Sequence, residues 1–174
     1  MPERGLNIGS GQRPFKSTPD MHWINIDSQG KWSPDLVCNA EKLPFDEGTV
    51  EYVVLHHVLE HFGCGEATSL IREAHRVLRQ EGKLLVFVPD MKALARRWLN
   101  GFVLGTQVYM TNVYGAYMGD EADRHKWGYT PETLHEFLAH CAPWTDLRIG
   151  GHSLELPGAD IAHDWWILEA EAIK

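Results

Sequence analysis

Short runs rich in apolar residues, each ending in glycine or polar residues, set the pattern of the first half of the chain. They cover residues 6–8, 22–26, 35–38, 50–55 and 83–88. Runs of this length are typical of β-strands, and the run at 50–55 is typical of a strand that is buried on both faces. The pattern therefore predicts five strands before Pro89, which stops the last of them.

A helical pattern separates the fourth and fifth strands. From residue 66 onward, apolar residues recur at spacings of three and four, and charged residues fill the other face; the apolar set is Leu70, Ile71, Ala74, Val77 and Leu78. Gly82 lies where a C-terminal cap is expected. Two further helices are predicted, one over residues 91–100 and one that begins after Thr130 as N-cap and Pro131 at the first helical position.

The spacing of the elements predicts the topology of the sheet. Strands separated by helix-length segments pair in parallel through right-handed crossovers. Two more strands are predicted at 147–149 and 163–173, and the segment between them is too short for a crossover helix. They are therefore expected to pair antiparallel. The prediction is a doubly wound, Rossmann-like, three-layer α/β/α fold of about seven strands, mostly parallel, with an antiparallel last strand.

Composition narrows the class of protein. The 174 residues predict a single domain, 1–174, in which residues 91–129 form an irregular insert rich in aromatic residues. A net charge of −8 argues against a nucleic-acid partner, which would need a basic face. Three widely spaced cysteines indicate free thiols in a reducing compartment. No signal peptide and no apolar run of about 18 residues are seen, so we expect a cytoplasmic protein without a membrane partner.

A glycine turn and an acid supply the first candidate chemistry. The first strand ends in Gly9-Ser10-Gly11, and the second ends in Asp27. Glycines permit a tight turn and a close approach of the backbone to a ligand. Asp27 is placed to accept hydrogen bonds from ribose hydroxyls. Two prolines within residues 12–20 predict that the usual helix after the turn is reduced, which favours a zwitterionic ligand tail over a pyrophosphate.

The ordered set of motifs resembles class I S-adenosylmethionine-dependent methyltransferases, and within them the small type 11 methyltransferases. The likeness covers nearly the whole chain, and the ordered set is more specific than any single motif. The matching segments are residues 6–11, 23–27, 43–45, 56–61, 76–84, 88–91 and 128–134.

The resemblance implies S-adenosyl-L-methionine as cofactor and S-adenosyl-L-homocysteine as product. Gly9, Ser10 and Gly11 would line the methionine end of the cofactor. Asp27 would hold the ribose, and the neighbouring Ser28 would also bind the cofactor.

The adenine and sulfonium ends are assigned by the same resemblance. Asn39, Ala40 and Glu41 would frame the adenine, although Asn39 stands where the family often has aspartate. His56, directly after the fourth strand, would face the cofactor near its sulfonium.

Two residues are candidates for catalysis, and no metal is predicted. His57 is a candidate for proton transfer from an acceptor, and Asp90 lies at the same edge of the sheet, with a helix cap as its alternative role. His57 and His61 are four residues apart, but Glu60 is out of place for the His-Glu-x-x-His zinc pattern. His61 is interpreted as structural.

The aromatic and methionine-rich stretch 102–129 leaves three interpretations open: an acceptor pocket with a lid, a subunit contact that would give a homodimer, or core packing. The basic cluster 124–126 either meets an anionic substrate or lies on a solvated loop. The pair Trp165-Trp166 is interpreted as packing in the last strand.

The resulting hypothesis is an S-adenosylmethionine-dependent methyltransferase that acts on a small-molecule or sugar-like acceptor at oxygen or nitrogen. The alternative is a non-catalytic binding module that needs a partner protein to complete the acceptor site. A nicotinamide-dependent reductase is disfavoured because the third glycine of its fingerprint is replaced by the segment Gln12-Arg13-Pro14.

Overall fold

A computed structural model describes residues 2–101, 106–116, 120–150, 156–161, 164 and 166–174 of the chain, with backbone alone for 106–108. In this part of the chain the strands are β1 (Glu3–Ile8), β2 (Met21–Asp27), β3 (Leu36–Val37), β4 (Val50–His56), β5 (Leu78–Pro89), β6 (Asp146–Ile149) and β7 (Ile167–Ile173). The helices are α1 (Cys64–Val77), α2 (Met91–Leu99), α3 (Thr106–Tyr114) and α4 (Pro131–Cys141).

The strands form one sheet in the order β3-β2-β1-β4-β5-β7-β6. Strands β1 to β5 pair in parallel, and β7 is antiparallel to both β5 and β6. The predicted seven-stranded, mostly parallel sheet with an antiparallel last strand is therefore confirmed. The strand order reverses at β1, so the carboxyl ends of β1 and β4 flank the crevice where such folds bind ligands.

The end of α1 differs from the prediction. Helix α1 ends at Val77, and β5 begins at Leu78, so the predicted role of Gly82 as a helix cap is wrong. The register of β4 and β5 shifts at this point, which marks a β-bulge. A Cβ at Gly82 would lie 2.8 Å from the carbonyl oxygen of Arg79, so the bulge accounts for the glycine.

The two faces of the sheet have different covers. Helices α1 and α4 pack on the first face, where alternate strand residues such as Leu6, Ile8 and Leu55 are buried with them. On the second face, the buried cluster around Trp23 and Phe87 is covered in the described residues by irregular segments at 12–20 and 156–161. The segment 12–20 forms no helix, in agreement with its prolines.

The covering segment 156–161 is hydrogen-bonded both to β2 and to the segment 12–20. The indole of Trp23 donates a hydrogen bond to the carbonyl oxygen of Pro157 over 2.7 Å, and the amide of Lys16 donates to that of Gly158 over 2.9 Å. The second layer is therefore built by two stretches that lie far apart along the chain.

A network of buried amides ties the segment 12–20 to the sheet. The Oδ1 atom of Asn25 accepts hydrogen bonds from the side chain of Asn7 at 2.9 Å and from the amide of Phe15 at 2.7 Å. Its Nδ2 atom donates to the carbonyl of Phe15 and to Asp35. These bonds pair the backbone N–H and C=O groups of Phe15, which would bond within a helix if the segment 12–20 were helical.

Replacing Asn25 with alanine should lower the free energy of unfolding by about 1–3 kcal/mol, since the amide of Phe15 would be left buried without its partner. Urea denaturation measures this change. The exposed Asn100 serves as control, and Asn100→Ala should alter stability by less than about 0.5 kcal/mol. Equal stability of the two variants would contradict the role of the network.

Within the described residues, no helix combines the length and the apolar character that a transmembrane span requires. All three cysteines are free: Cys38 is half-buried, Cys64 exposed and Cys141 buried.

Candidate functional site

The turn after β1 takes the conformation that its glycines permit. Gly9 and Gly11 have φ angles of +67° and +46°, in the left-handed region that disfavours other residues. Ser10 between them is buried and donates its amide hydrogen to the carbonyl oxygen of Ile26 over 3.0 Å. The turn is thereby fixed against the end of β2.

Asp27 joins this turn to the next loop. Its Oδ2 atom accepts the amide hydrogen of Gly11 at 2.9 Å, and its Oδ1 atom accepts that of Gln29 at 2.8 Å. Each carboxylate oxygen has a further lone pair, so the group retains capacity to accept hydrogen bonds from a ligand. The side chain lines the cleft beside the turn.

Two adjoining cavities open at this edge of the sheet, with volumes of about 770 and 400 Å³. Volumes in this range suit small-molecule and cofactor sites. They share walls made by the turn, by Trp32 and by His57. The smaller cavity is also lined by Asp27, Ser28 and Ala40.

The larger cavity extends toward the insert. Its walls include His56 at the end of β4, His57 directly after it, Asn112 of α3, His125 and Trp166. Of the predicted cofactor residues, the structure brings Gly9, Ser10, Gly11, Asp27, Ser28, Ala40 and His56 to the two cavities.

Asn39 and Glu41 are placed differently. Asn39 is exposed, and its side chain bonds to Glu41: Oδ1 accepts the Glu41 amide at 2.9 Å, and Nδ2 donates to Oε2 at 3.1 Å. They are not among the described residues that line the two cavities, whereas the neighbouring Cys38 and Ala40 are. Their roles in adenine binding stay predictions.

A charged pair in α1 anchors the loop that follows β3. Glu73 accepts the amide hydrogen of Leu43 at 2.7 Å, and Arg76 donates to the carbonyl oxygens of Leu43 and Phe45. Glu73 and Arg76 also pair with each other at 2.7 Å. The hydrogen bond from Arg76 holds the pKa of Glu73 below its usual value. The stabilisation is therefore present at neutral pH and is lost as the pH falls through that lowered pKa.

We expect Arg76→Ala to lower the free energy of unfolding by about 1–2 kcal/mol and to weaken cofactor binding several-fold, because the loop beside Ala40 would lose its anchor. Thermal denaturation and calorimetry measure the two effects. Arg79 pairs with Glu51 on the surface, so Arg79→Ala is the control and should change little. An Arg76 variant that behaved like the Arg79 variant would refute the anchoring role.

His57 has an unusual backbone. It is not glycine, yet its φ angle is +56°, and such strain at a cleft often marks a functional residue. Its Nδ1 atom lies 3.1 Å from Oε1 of Glu60, which is 1% exposed. Burial raises the pKa of Glu60, but the hydrogen bond from His57 and the nearby imidazoles outweigh it, and the pKa lies below its usual value.

Asp90 acts as the N-cap of α2. Its Oδ1 atom accepts the amide hydrogens of Lys92 at 2.9 Å and Ala93 at 3.0 Å. The alternative role given for Asp90 in the sequence analysis is therefore present in the structure, and its catalytic role stays a prediction.

Several cleft residues were missed by sequence reasoning. Trp32 lines both cavities, and its signal was an aromatic residue close after the acid that ends β2. Trp166 was interpreted as strand packing but lies before β7, lines the larger cavity and has its ring 5.5 Å from that of His57. Trp165 lies outside the described residues.

The insert contributes to the cleft and to the surface. Asn112 and His125 line the larger cavity, Tyr129 is buried in the core, and Tyr114 and Trp127 are exposed. Within the basic cluster, Lys126 lines the smaller cavity. Phe102, Tyr117 and Met118 lie outside the described residues.

A contact across the cleft links the loop after β2 to the insert. The side chains of Gln29 and Lys31 donate to Oδ2 of Asp120 at 2.9 and 3.1 Å. Hydrogen bonds from the Ala122 amide and from Lys31 lower the pKa of Asp120.

Comparisons with known proteins agree with this architecture. A family model described as a methyltransferase domain matches residues 19–86. No curated protein matches the sequence. Among solved structures, a SAM-dependent methyltransferase from Archaeoglobus fulgidus is 13% identical and has a TM-score of 0.62, with 99% of this chain and 86% of that chain covered.

Two further solved structures share the fold. The 1,6-didemethyltoxoflavin-N1-methyltransferase from Burkholderia thailandensis, bound to 1,6-didemethyltoxoflavin and S-adenosylhomocysteine, is 16% identical, with a TM-score of 0.59 and 99% of this chain and 71% of that chain covered. A chain from a complex of the Trm112 methyltransferase activator with a methyltransferase, from Haloferax volcanii, is 13% identical, with a TM-score of 0.60 and coverage of 98% and 82%.

At these identities the solved structures show the fold, and the family model adds the class. Together they confirm the predicted enzyme class and the predicted cofactor, S-adenosyl-L-methionine. The chain therefore has the fold of S-adenosylmethionine-dependent methyltransferases, and its residues 19–86 match the methyltransferase domain.

Proposed function

We propose that this chain binds S-adenosyl-L-methionine across the two cavities and methylates a small-molecule or sugar-like acceptor at oxygen or nitrogen. The observation that carries the proposal is the junction of the glycine turn with the Asp27 carboxylate, at the boundary between a smaller cavity and a larger one. The comparisons support the methyltransferase class, and the acceptor is proposed from the cleft.

The donor set fits the cofactor in three places. The turn at Gly9 and Gly11 offers backbone to the methionine end, Asp27 offers acceptor oxygens to the ribose hydroxyls, and Ala40 offers a small apolar wall to the adenine. The adenosine half is therefore assigned to the smaller cavity. The methyl group then points into the larger one.

The protein contributes position rather than covalent chemistry. When bound, S-adenosyl-L-methionine supplies a methyl group on a positively charged sulfur, which is a ready leaving group. The walls of the larger cavity hold the acceptor in line and exclude water, which is the main source of rate in such a site. His57, whose Nδ1–H is held by Glu60, keeps Nε2 as the atom that takes up a proton from the acceptor.

The size and polarity of the larger cavity support the acceptor class. A volume of about 770 Å³ suits a drug-sized or sugar-sized molecule, and the side chains of Asn112 and His57 offer polar contacts to it. The net charge of −8 gives no support to a nucleic-acid acceptor. We assign the described insert residues that line this cavity, at positions 111, 112, 116, 120, 123 and 125, to the acceptor side.

Titration calorimetry with S-adenosyl-L-homocysteine tests the cofactor site. One saturable site with micromolar affinity is expected, followed by transfer of a labelled methyl group to a panel of hydroxyl and amine acceptors. If no saturable binding is seen at ~1 mM ligand, the binding free energy is weaker than about −4 kcal/mol, and the proposal is refuted.

The second candidate is a module that needs a partner protein to complete its acceptor site. Helices α2 and α3 expose large apolar side chains, with Trp98 65%, Leu99 84% and Tyr114 65% exposed. Exposed apolar groups of this size are typical of interaction sites. Cofactor binding without methyl transfer to any acceptor would favour this candidate, and steady turnover by the isolated chain would exclude it.

A further inference from the structure

A cluster of two imidazoles and a carboxylate lies on the wall of the larger cavity. One ligand atom from each of Glu60, His61 and His125 lies within 4.8 Å of the others. Glu60 and His61 belong to a 3-10 turn, Leu59–His61, that follows β4, and His125 comes from the insert. His61 and His125 line the cavity, so the cluster adjoins the proposed acceptor space.

The backbone fixes which nitrogen each histidine presents. Nδ1 of His61 lies 3.1 Å from the carbonyl oxygen of Arg124, and Nδ1 of His125 lies 3.1 Å from that of Asn112. A carbonyl oxygen only accepts hydrogen bonds, so each Nδ1 carries the hydrogen and each Nε2 retains a free lone pair. An Nδ1–H bonded to a backbone carbonyl is the arrangement that orients histidine ligands of metal ions.

The carboxylate gives an independent observation. Glu60 is 1% exposed, and its Oε1 atom accepts a hydrogen bond from His57. Its Oε2 atom is buried and has no hydrogen-bond partner among the described residues. A buried carboxylate oxygen without a partner is costly, and a bound cation would remove that cost.

From these contacts we infer that Glu60, His61 and His125 bind a divalent transition-metal ion at the wall of the larger cavity. Two imidazoles and one carboxylate suit ions such as Zn²⁺, Fe²⁺ or Mn²⁺. Ligand atoms around a tetrahedral ion with bonds of about 2.1 Å lie about 3.4 Å apart, so small side-chain rotations close the cluster around the ion. Three protein ligands leave at least one coordination position open.

The open position connects this site with the proposed function, on which this step rests. His61 and His125 border the cavity, so an oxygen atom of the acceptor would complete the coordination there. The inference narrows the acceptor class to molecules that carry a hydroxyl or other oxygen donor. No metal was predicted from the sequence, because the spacing of His57 and His61 matches no zinc motif and no pattern in the sequence places His125 beside His61.

Calorimetric titration of EDTA-treated, dialysed protein with Zn²⁺ and with Mn²⁺ tests the site. We expect one ion per chain and a rise in the melting temperature on binding. His61→Ala and His125→Ala should each raise the dissociation constant at least about tenfold, and His140→Ala, an exposed histidine on α4, should leave it unchanged. Circular dichroism checks that each variant is folded.

Parallel titration with S-adenosyl-L-homocysteine in EDTA separates the two proposals. Cofactor binding without metal binding at ~1 mM ion would overturn the metal site and leave the proposed function intact. Metal binding without cofactor binding would overturn the proposed function and leave the metal site intact. Metal binding that both cavity histidine variants retain at wild-type affinity would also overturn the assignment.

Discussion

Replacing Asp27 with alanine is expected to weaken the binding of S-adenosyl-L-homocysteine by at least about 100-fold, or about 3 kcal/mol. The carboxylate holds the amides of Gly11 and Gln29, so its loss both frees the turn and removes the acceptor for the ribose hydroxyls. Calorimetry measures the affinity. Because the side chain lies at the edge of the cleft, the variant should still fold cooperatively.

Two variants make the Asp27 result specific. Asp20 is exposed at the opposite end of β2, and Asp20→Ala should bind the product as the wild type does. Asp27→Asn keeps one acceptor oxygen but brings an NH₂ group toward a backbone N–H, so an intermediate affinity is expected. An Asp27→Ala variant within about threefold of wild type, less than about 1 kcal/mol, would place the ribose elsewhere.

Gly9→Ala should destabilise the protein by about 2–5 kcal/mol and abolish cofactor binding. A non-glycine residue at a φ angle of +67° costs about 1–2 kcal/mol, and the clash adds about 1–3 kcal/mol more. The added Cβ would lie 2.5 Å from Cγ2 of Val58, a stiff and buried side chain. Relief of this clash would push the turn into the cleft.

The matched control for Gly9 is Gly65 in the first turn of α1, where an added Cβ meets nothing within 4 Å. Gly65→Ala should be neutral or stabilise by up to about 1 kcal/mol. Thermal denaturation and product titration of both variants give the comparison. Normal product binding by Gly9→Ala would show that the turn does not contact the cofactor.

Local patterns of apolar residues in the sequence predicted most of the fold. The alternation in β5 places Leu84, Val86 and Val88 on one face and Leu85 and Phe87 on the other, and both faces are buried. Such continuous apolar runs are typical of strands that are buried on both faces.

The end of α1 shows where local patterns fail. Helical spacing continues through Leu78, but pairing with Val50 draws that residue into β5. Tertiary pairing therefore overrides the local propensity that made Gly82 resemble a helix cap.

The functional site likewise has some residues that the sequence predicts and others that it does not. The glycine turn and Asp27 can be predicted from the sequence because each follows directly after its own apolar run. The contacts of His125 with the carbonyl of Asn112 and with Glu60 depend on how the insert folds back over the cleft. No periodicity or spacing in the sequence encodes that return, so the cluster emerges only in three dimensions.

The irregular cover of the second sheet face has a consequence for the order of folding. Trp23 reaches Pro157 across a sequence separation of 134 residues. Closing so large a loop lowers the entropy of the chain, and only contacts between distant segments offset this loss. This layer is therefore expected to form late, after the parallel strands have associated. During synthesis on the ribosome, the indole of Trp23 would stay without this cover until the segment 156–161 has left the ribosome.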